Sequence, residues 1–214
     1  YDALAASTRY RFLQYVEPLA KRGVELTHSP LFDDTYLQHK FEGSARVADV
    51  LRAVARRLKA LLGARRYDLV IVYLELFPYL PALAEPLLGA AGTRYIVDMD
   101  DAIFHQYDLH PSQLVRGLLA RKIPTVLRSA RSVLCGNDYL RSFAEAQGAK
   151  AIYLPTVVDT DQYRPARPER TDTLRVGWVG SPSTAKYLEL VAPALRALGQ
   201  ERPARFISVG SGPP

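Results

Sequence analysis

Three carboxylates, Asp98, Asp100 and Asp101, follow directly on an apolar run at 95–97. Acids packed this closely repel one another, so one holds its proton or a cation sits among them. Three chemistries suit the cluster. A divalent metal could be held by Asp98-x-Asp100, with Asp98 a nucleophile toward a phosphoryl group. The pair could ligate a metal for sugar transfer. Or the site holds no metal, and one carboxylate faces a sugar hydroxyl. A solvated loop-and-cap cluster is the plainer alternative to all three. A second candidate lies at Gly180-Ser181-Pro182-Ser183-Thr184-Ala185-Lys186, after the apolar run 174–179. A helix opening there would point free N–H groups at a phosphate, with Lys186 adding a charge one turn in. The pattern is neither a Walker loop nor a dinucleotide fingerprint. Ser183 or Thr184 as a simple helix cap is the competing reading.

These residues need a scaffold, and the apolar pattern supplies one. Continuous apolar runs at 68–74, 94–98, 132–135 and 151–154 suit parallel strands buried on both faces. Runs at 24–27, 174–179 and 205–209 also read as strands. Helical periodicity lies between them. Ser7 can cap a helix from Thr8, shortened at Pro18, with Gly23 as its stop. Over 44–62, Val47, Leu51, Val54, Leu58 and Leu61 form one apolar face. Further helices fall at 81–88, at 112–130 with a break at Pro124, at 138–147 and at 184–198. Residues 164–172 hold two prolines and five charged side chains, and read as a linker. The expected architecture is a Rossmann-like, doubly wound parallel α/β domain over 1–163. The first βαβ of a second such domain follows over 173–214. In such sheets ligands sit beyond the carboxyl ends of the strands. Glu75, Asp98–Asp101, Asn137 and Gly180 all stand there.

Composition narrows the classes. Hydrophobic residues make up 48% and charged residues 23%, which excludes whole-chain disorder and fibrous folds. The single cysteine, Cys135, excludes an internal disulfide framework and reads as a small core residue. The four histidines show no metal-ligand spacing, and no metal is assigned. No apolar run reaches a membrane span and no signal pattern opens the chain, so a cytoplasmic protein is the default. The net charge of +6, mostly arginine, suits anionic partners, although coding bias explains it as simply. The basic residues are not interleaved with aromatic ones as in nucleic-acid binders, so no nucleic-acid partner is expected. The ends, Tyr1 and Ser211-Gly212-Pro213-Pro214, suggest an internal piece of a longer protein.

The order of these pieces resembles family-4 glycosyltransferases of the GT-B fold (glycosyl transferases group 1), over nearly the whole chain. Ser7-Thr8-Arg9-Tyr10-Arg11 with Gln14 and Tyr15 is similar to the first helix of that N-terminal domain. In the family a strand and a Gly-rich loop come before it. The run 96–101 stands where the family's strand ends in His-Asp, with Asp100 for the His and Asp101 matching the Asp. Leu154-Pro155-Thr156-Val157-Val158-Asp159, then Tyr163 and Pro165, resemble the family's closing turns of the domain. Gly177-Trp178-Val179-Gly180 resembles the first C-domain strand, and Val209-Gly210-Ser211-Gly212-Pro213 its G-x-G-P turn.

The resemblance implies an enzyme moving a sugar from a nucleotide-diphosphate donor to a hydroxyl, with retention, no obligatory metal and no cofactor. Gly180, Ser181, Ser183, Thr184 and Lys186 would hold the donor, Lys186 facing the leaving diphosphate. Asp100 and Asp101 would be catalytic. Arg9, Glu75 and Asn137 would face a glycan or lipid-linked acceptor, and 164–172 would be part of the hinge. This chain departs from the family at Ser181, where an arginine is common, and at Asp100. The donor-binding E-x7-E pair would lie beyond Pro214, so the 214 residues alone are expected to be inactive. The resemblance also implies peripheral contact with an inner membrane face through the basic helix 44–62, against the plainer reading of a solvated face. Two other classes stay open. One is a Mg-dependent, haloacid-dehalogenase-like phosphohydrolase using Asp98 and Asp100, although Asp101-Ala102 replaces its usual Gly-Thr and a second acidic pair is missing. The other is a non-catalytic binding fragment.

Overall fold

A computed structural model describes residues 1–44, 46–165 and 172–212, apart from the side chains of Phe41 and Ser183. The chain divides into two compact units, Tyr1–Asp159 and Thr160–Pro214. Both are α/β with parallel strands.

The first unit holds a four-stranded sheet in the order β1-β2-β3-β4: Val70–Tyr73, Tyr95–Met99, Val133–Cys135 and Ala151–Tyr153. Every pairing is parallel, with Val72 opposite Val97, Val97 opposite Val133 and Cys135 opposite Tyr153. Parallel strands need crossover connections, which here carry helices. α1 (Ala6–Arg11), α2 (Val16–Ala20), α3 (Asp34–Phe41) and α4 (Val47–Leu62) precede the sheet. α5 (Ala84–Ala90), α6 (His105–Asp108), α7 (Gln113–Leu119), α8 (Lys122–Ser129) and α9 (Asp138–Ala146) link its strands. Val97, Val126, Leu127, Val133 and Cys135 form the fully buried centre of the core. Burying each such side chain contributes roughly 1.5–3 kcal/mol.

Several local expectations are corrected. The extended stretch 24–27 is not a strand: among the described residues it has no strand to pair with. Ser7 is not the cap of α1, where the N-cap is Ala5. Neither proline breaks a helix. Pro18 and Pro124 each occupy the third position of α2 and α8, where an amide N–H has no intrahelical acceptor. The break in 112–130 falls instead at Ala120 and Arg121. α3 is an additional helix, capped by the Asp33 carboxylate, which accepts from Tyr36 N at 3.0 Å.

α4 packs on the core with only part of its expected face. Ala53 is buried, and Val54 and Leu61 pack on the core. Val47, Leu51, Leu58 and Leu62 are each more than half exposed. The cause lies in Arg56 and Arg57, which donate to the carbonyls of Leu31 and Ser29, each at 3.0 Å. Arg56 also reaches Asp33 at 3.1 Å. These bonds hold the 29–33 stretch against the helix and set its rotation.

The second unit pairs β5 (Leu174–Val179) with β6 (Ala204–Val209) in parallel, joined through α10 (Pro182–Ala185) and α11 (Leu188–Glu201). The single helix expected over 184–198 is thus two. Tyr187 N bonds Thr184 O and Leu190 N bonds Tyr187 O, i-to-i+3 contacts that interrupt the α pattern. Of the linker expected over 164–172, residues 166–171 lie outside the described residues, as does Pro213 of the G-x-G-P turn. Among the described residues no helix is long and apolar enough to cross a membrane.

Candidate functional site

The carboxyl end of the four-stranded sheet gathers Tyr73, Glu75, Asp98, Asp100 and Asp101. Asp98 lies inside β2 and is buried. A carboxylate in an apolar strand needs a cation, and Arg11 of α1 supplies it. The Arg11 guanidinium takes both Asp98 oxygens, with Nε donating to Oδ2 at 2.9 Å and Nη2 to Oδ1. Arg11 Nη1 donates to Leu154 O at 2.9 Å and to Thr156 Oγ1 at 3.3 Å, and Gln14 donates to Val157 O at 3.0 Å. One arginine thus binds α1, β2 and the segment after β4 into one block. Burial lifts the Asp98 carboxyl above the ordinary range, against the pull of Arg11.

Asp100, two residues on, is half-buried and bonded differently. The Tyr73 hydroxyl, at the end of β1, donates to its Oδ1 at 2.7 Å. Ser7 of α1 bonds the Tyr73 hydroxyl in turn. Burial pushes the Tyr73 phenol up, and Asp100 adds to it, so Tyr73 is a donor at neutral pH. Asp101 is exposed, and burial of part of its surface, then the charge of Asp100, raises its carboxyl. Gly136 lets the turn after β3 pass close by: a Cβ there would lie 3.2 Å from Asp100 Cα.

Glu75 is placed otherwise than the sequence reading expected. Leu74 adopts a left-handed backbone (φ 60) and Glu75 N bonds Tyr73 O at 2.7 Å. This strained turn aims Glu75 into the protein, where it pairs with the buried Lys122 of α8. The Tyr107 hydroxyl donates to the same carboxylate, 2.7 and 2.9 Å from its oxygens, and Lys122 Nζ also donates to Phe77 O at 2.5 Å. With its charge spent in the interior, Glu75 does not line an open site.

Arg9 and Asn137 also have local duties. Arg9 is exposed and donates to the carbonyls of Ala3 and Leu4, each at 2.8 Å. Asn137 caps α9, its Oδ1 accepting from Leu140 N at 2.9 Å. Cys135 is buried, and burial pushes its thiol up to about 11, which leaves it without nucleophilic character.

In the second unit, Gly180 and Gly210 end β5 and β6. Gly180 N bonds Val209 O at 3.0 Å, and a Cβ on Gly210 would fall 2.3 Å from Gly180 O. Ser181 N donates to Thr184 Oγ1 at 3.0 Å, and the Thr184 hydroxyl donates to Ser181 O at 2.9 Å, so Thr184 closes this turn. Lys186 is exposed, its ammonium 5.3 Å from the centre of the Tyr187 ring. The side chain of Ser183 lies outside the described residues.

The structure therefore brings Asp100 and Asp101 together with Tyr73 and Ser7, and it withdraws Glu75. The sequence reading missed Arg11, Tyr73, Lys122 and Tyr107. A signal existed for Arg11, since an acid inside a buried strand requires a long cationic side chain from elsewhere. Among the described residues no three His, Cys, Asp or Glu side chains converge as a metal site. No family model matches the chain, and no curated protein sequence matches it either.

Proposed function

We propose that the chain belongs to a glycosyltransferase of GT-B type, transferring a sugar from a nucleotide-diphosphate donor to an acceptor hydroxyl. The observation that carries this reading is the Tyr73–Asp100 hydrogen bond beside Asp101, at the carboxyl end of a parallel sheet. That is where α/β folds bind ligands. A carboxylate fixed by a phenol at one oxygen keeps lone pairs for a further donor, as recognition of a substrate hydroxyl requires. The first unit would serve the acceptor. The second, with its close-packed Gly180 and Gly210 and the exposed Lys186, would serve the donor diphosphate. The resemblance in motif order between 7 and 212 gives the same assignment.

Measuring nucleoside diphosphate released from UDP-, GDP- and ADP-hexoses by the full-length protein tests the proposal. Asp100→Ala should lower the rate by at least about tenfold, the worth of one good hydrogen bond in the transition state. No release from any of the three donors would reject it. The phosphohydrolase alternative draws no support from Asp98, because a nucleophile cannot have both oxygens held by a buried guanidinium. Mg-dependent hydrolysis of p-nitrophenyl phosphate that is lost in Asp98→Asn would reverse that judgement.

Peripheral membrane contact is part of the same proposal. The exposed stripe Val47, Leu51, Leu58 and Leu62 runs beside exposed Arg46, Arg52 and Lys59, a pairing suited to an anionic lipid surface. Flotation with anionic vesicles should show binding that salt weakens, and its absence would remove the membrane from the list of partners.

A further inference from the structure

We infer that His105 and Tyr139 form a recognition site for a neutral sugar ring, with Asp108 as the positioning residue. This deepens the transferase reading, and rests on it for the role of that sugar as acceptor. His105 opens α6, four residues beyond Asp101, after two tight turns in which Ile103 N bonds Asp101 O at 2.8 Å and His105 N bonds Ala102 O at 3.0 Å. It therefore follows the same strand end as the acidic pair.

The imidazole is held from both sides. Its Nδ1 lies 3.0 Å from Asp108 Oδ1, and its Nε2 lies 2.7 Å from the Tyr139 hydroxyl. An ionised carboxylate can only accept, so in the neutral imidazole Nδ1 carries the hydrogen and Nε2 offers a lone pair. The Tyr139 hydroxyl donates to that lone pair. A phenol here stands in for what the position can bind, namely a neutral hydroxyl donor.

The ring surfaces add shape. Phe104 is buried and stacks on Phe143 at 3.6 Å between centroids, with the planes 8° apart. It lies 4.4 Å from the His105 ring and 6.0 Å from the Tyr139 ring, both tilted against it, and so packs behind the pair. Tyr139, the second residue of α9, is 58% exposed. An exposed aromatic face takes the apolar C–H face of a pyranose, while one sugar hydroxyl replaces the Tyr139 phenol as donor to Nε2. The negative charge of Asp108 disfavours a phosphate or carboxylate at this spot. The chemistry thus selects an uncharged sugar ring.

Saturation-transfer NMR of the full-length protein with methyl gluco-, manno- and galactopyranoside tests this without a donor. At least one glycoside should receive saturation on its ring protons. Tyr139→Ala and His105→Ala should each reduce that signal at least about fivefold, close to the worth of one neutral hydrogen bond. Tyr139→Phe should retain it, because the ring remains and Nε2 is freed. Neither side chain is buried, so both alanine variants should fold, and melting points within about 2 °C of the parent would verify it. Absence of transfer to all three glycosides overturns the inference, and so does an undiminished signal in Tyr139→Ala and His105→Ala. If nucleotide sugars are cleaved but the glycosides fail, the site falls and the transferase reading stands. If the glycosides bind through Tyr139 but no donor is cleaved, the sugar site stands and the transferase reading falls.

Discussion

Arg11 and Asp98 lie 87 positions apart and form a two-point ion pair inside the first unit, both side chains 3% exposed. The pair joins the first helix to the second strand, and through Leu154 and Thr156 to the segment after the fourth. Removing one partner leaves a buried charge without compensation. Arg11→Leu should therefore cost about 3–5 kcal/mol in urea unfolding. The double variant Arg11→Leu with Asp98→Leu should recover much of that loss, since no charge is then stranded. A double variant as unstable as the sum of the singles would show that the two side chains do not act together.

Glu75 and Lys122 make the second buried ion pair of this unit. Glu75→Gln keeps an acceptor for Tyr107 but leaves the ammonium unpaired. It should lower stability by about 3 kcal/mol while leaving the KM for any acceptor unchanged. A raised KM with unchanged stability would return Glu75 to the acceptor site.

Asp101 gives a pH signature. Partial burial, with the charge of Asp100, holds its carboxyl above the ordinary range. The folded state thus keeps this proton to a higher pH than the unfolded chain does. Ionisation costs the folded state, so stability falls as pH rises through the folded-state pKa, and the penalty is absent below the unfolded value. Asp101→Asn should raise the urea midpoint near neutrality and leave it unchanged at about pH 3. A lowered midpoint near neutrality would mean that the carboxylate has a stabilising partner.

Two glycines of the second unit, Gly210 and Gly177, should separate cleanly. Gly210 has φ +81, and its missing Cβ would collide with the Gly180 carbonyl, whereas a Cβ on Gly177 meets nothing within 4 Å. Gly210→Ala should destabilise β5 and β6 by about 1–3 kcal/mol, read from amide exchange in both strands. Gly177→Ala should be neutral or stabilising by up to about 1 kcal/mol. Equal effects would mean that the crossing at Gly180 and Gly210 relaxes freely.

Much of the scaffold was legible from local pattern. The apolar runs that became β1 to β6 were each long enough for a strand and flanked by helical periodicity, which leaves a parallel sheet as the economical arrangement. The run at 24–27 shows the limit, because a strand exists only where another strand takes its hydrogen bonds. Proline positions show another. Pro18 and Pro124 read as breaks until the helix starts are known, and a shift of a few residues turns a break into a well-placed first turn.

The acidic pair was legible too, since Asp100 and Asp101 follow a buried strand and must surface at its carboxyl end. Which acids stay open was not. Asp98 and Glu75 carry the same chemistry in the sequence as Asp100, but Arg11 and Lys122 reach them from helices far away in the chain and close them off. The outward stripe of α4 has the same origin. Periodicity defines an apolar face, yet the rotation of the helix was decided by Arg56 and Arg57 bonding the 29–33 stretch. Local sequence determined the elements, the strand ends and the residues gathered there, because backbone propensity and apolar spacing act over a few residues. Only the tertiary structure decided which charges are paired in the interior and which stay open, because burial makes an unpaired charge costly and its partner comes from wherever the fold brings one.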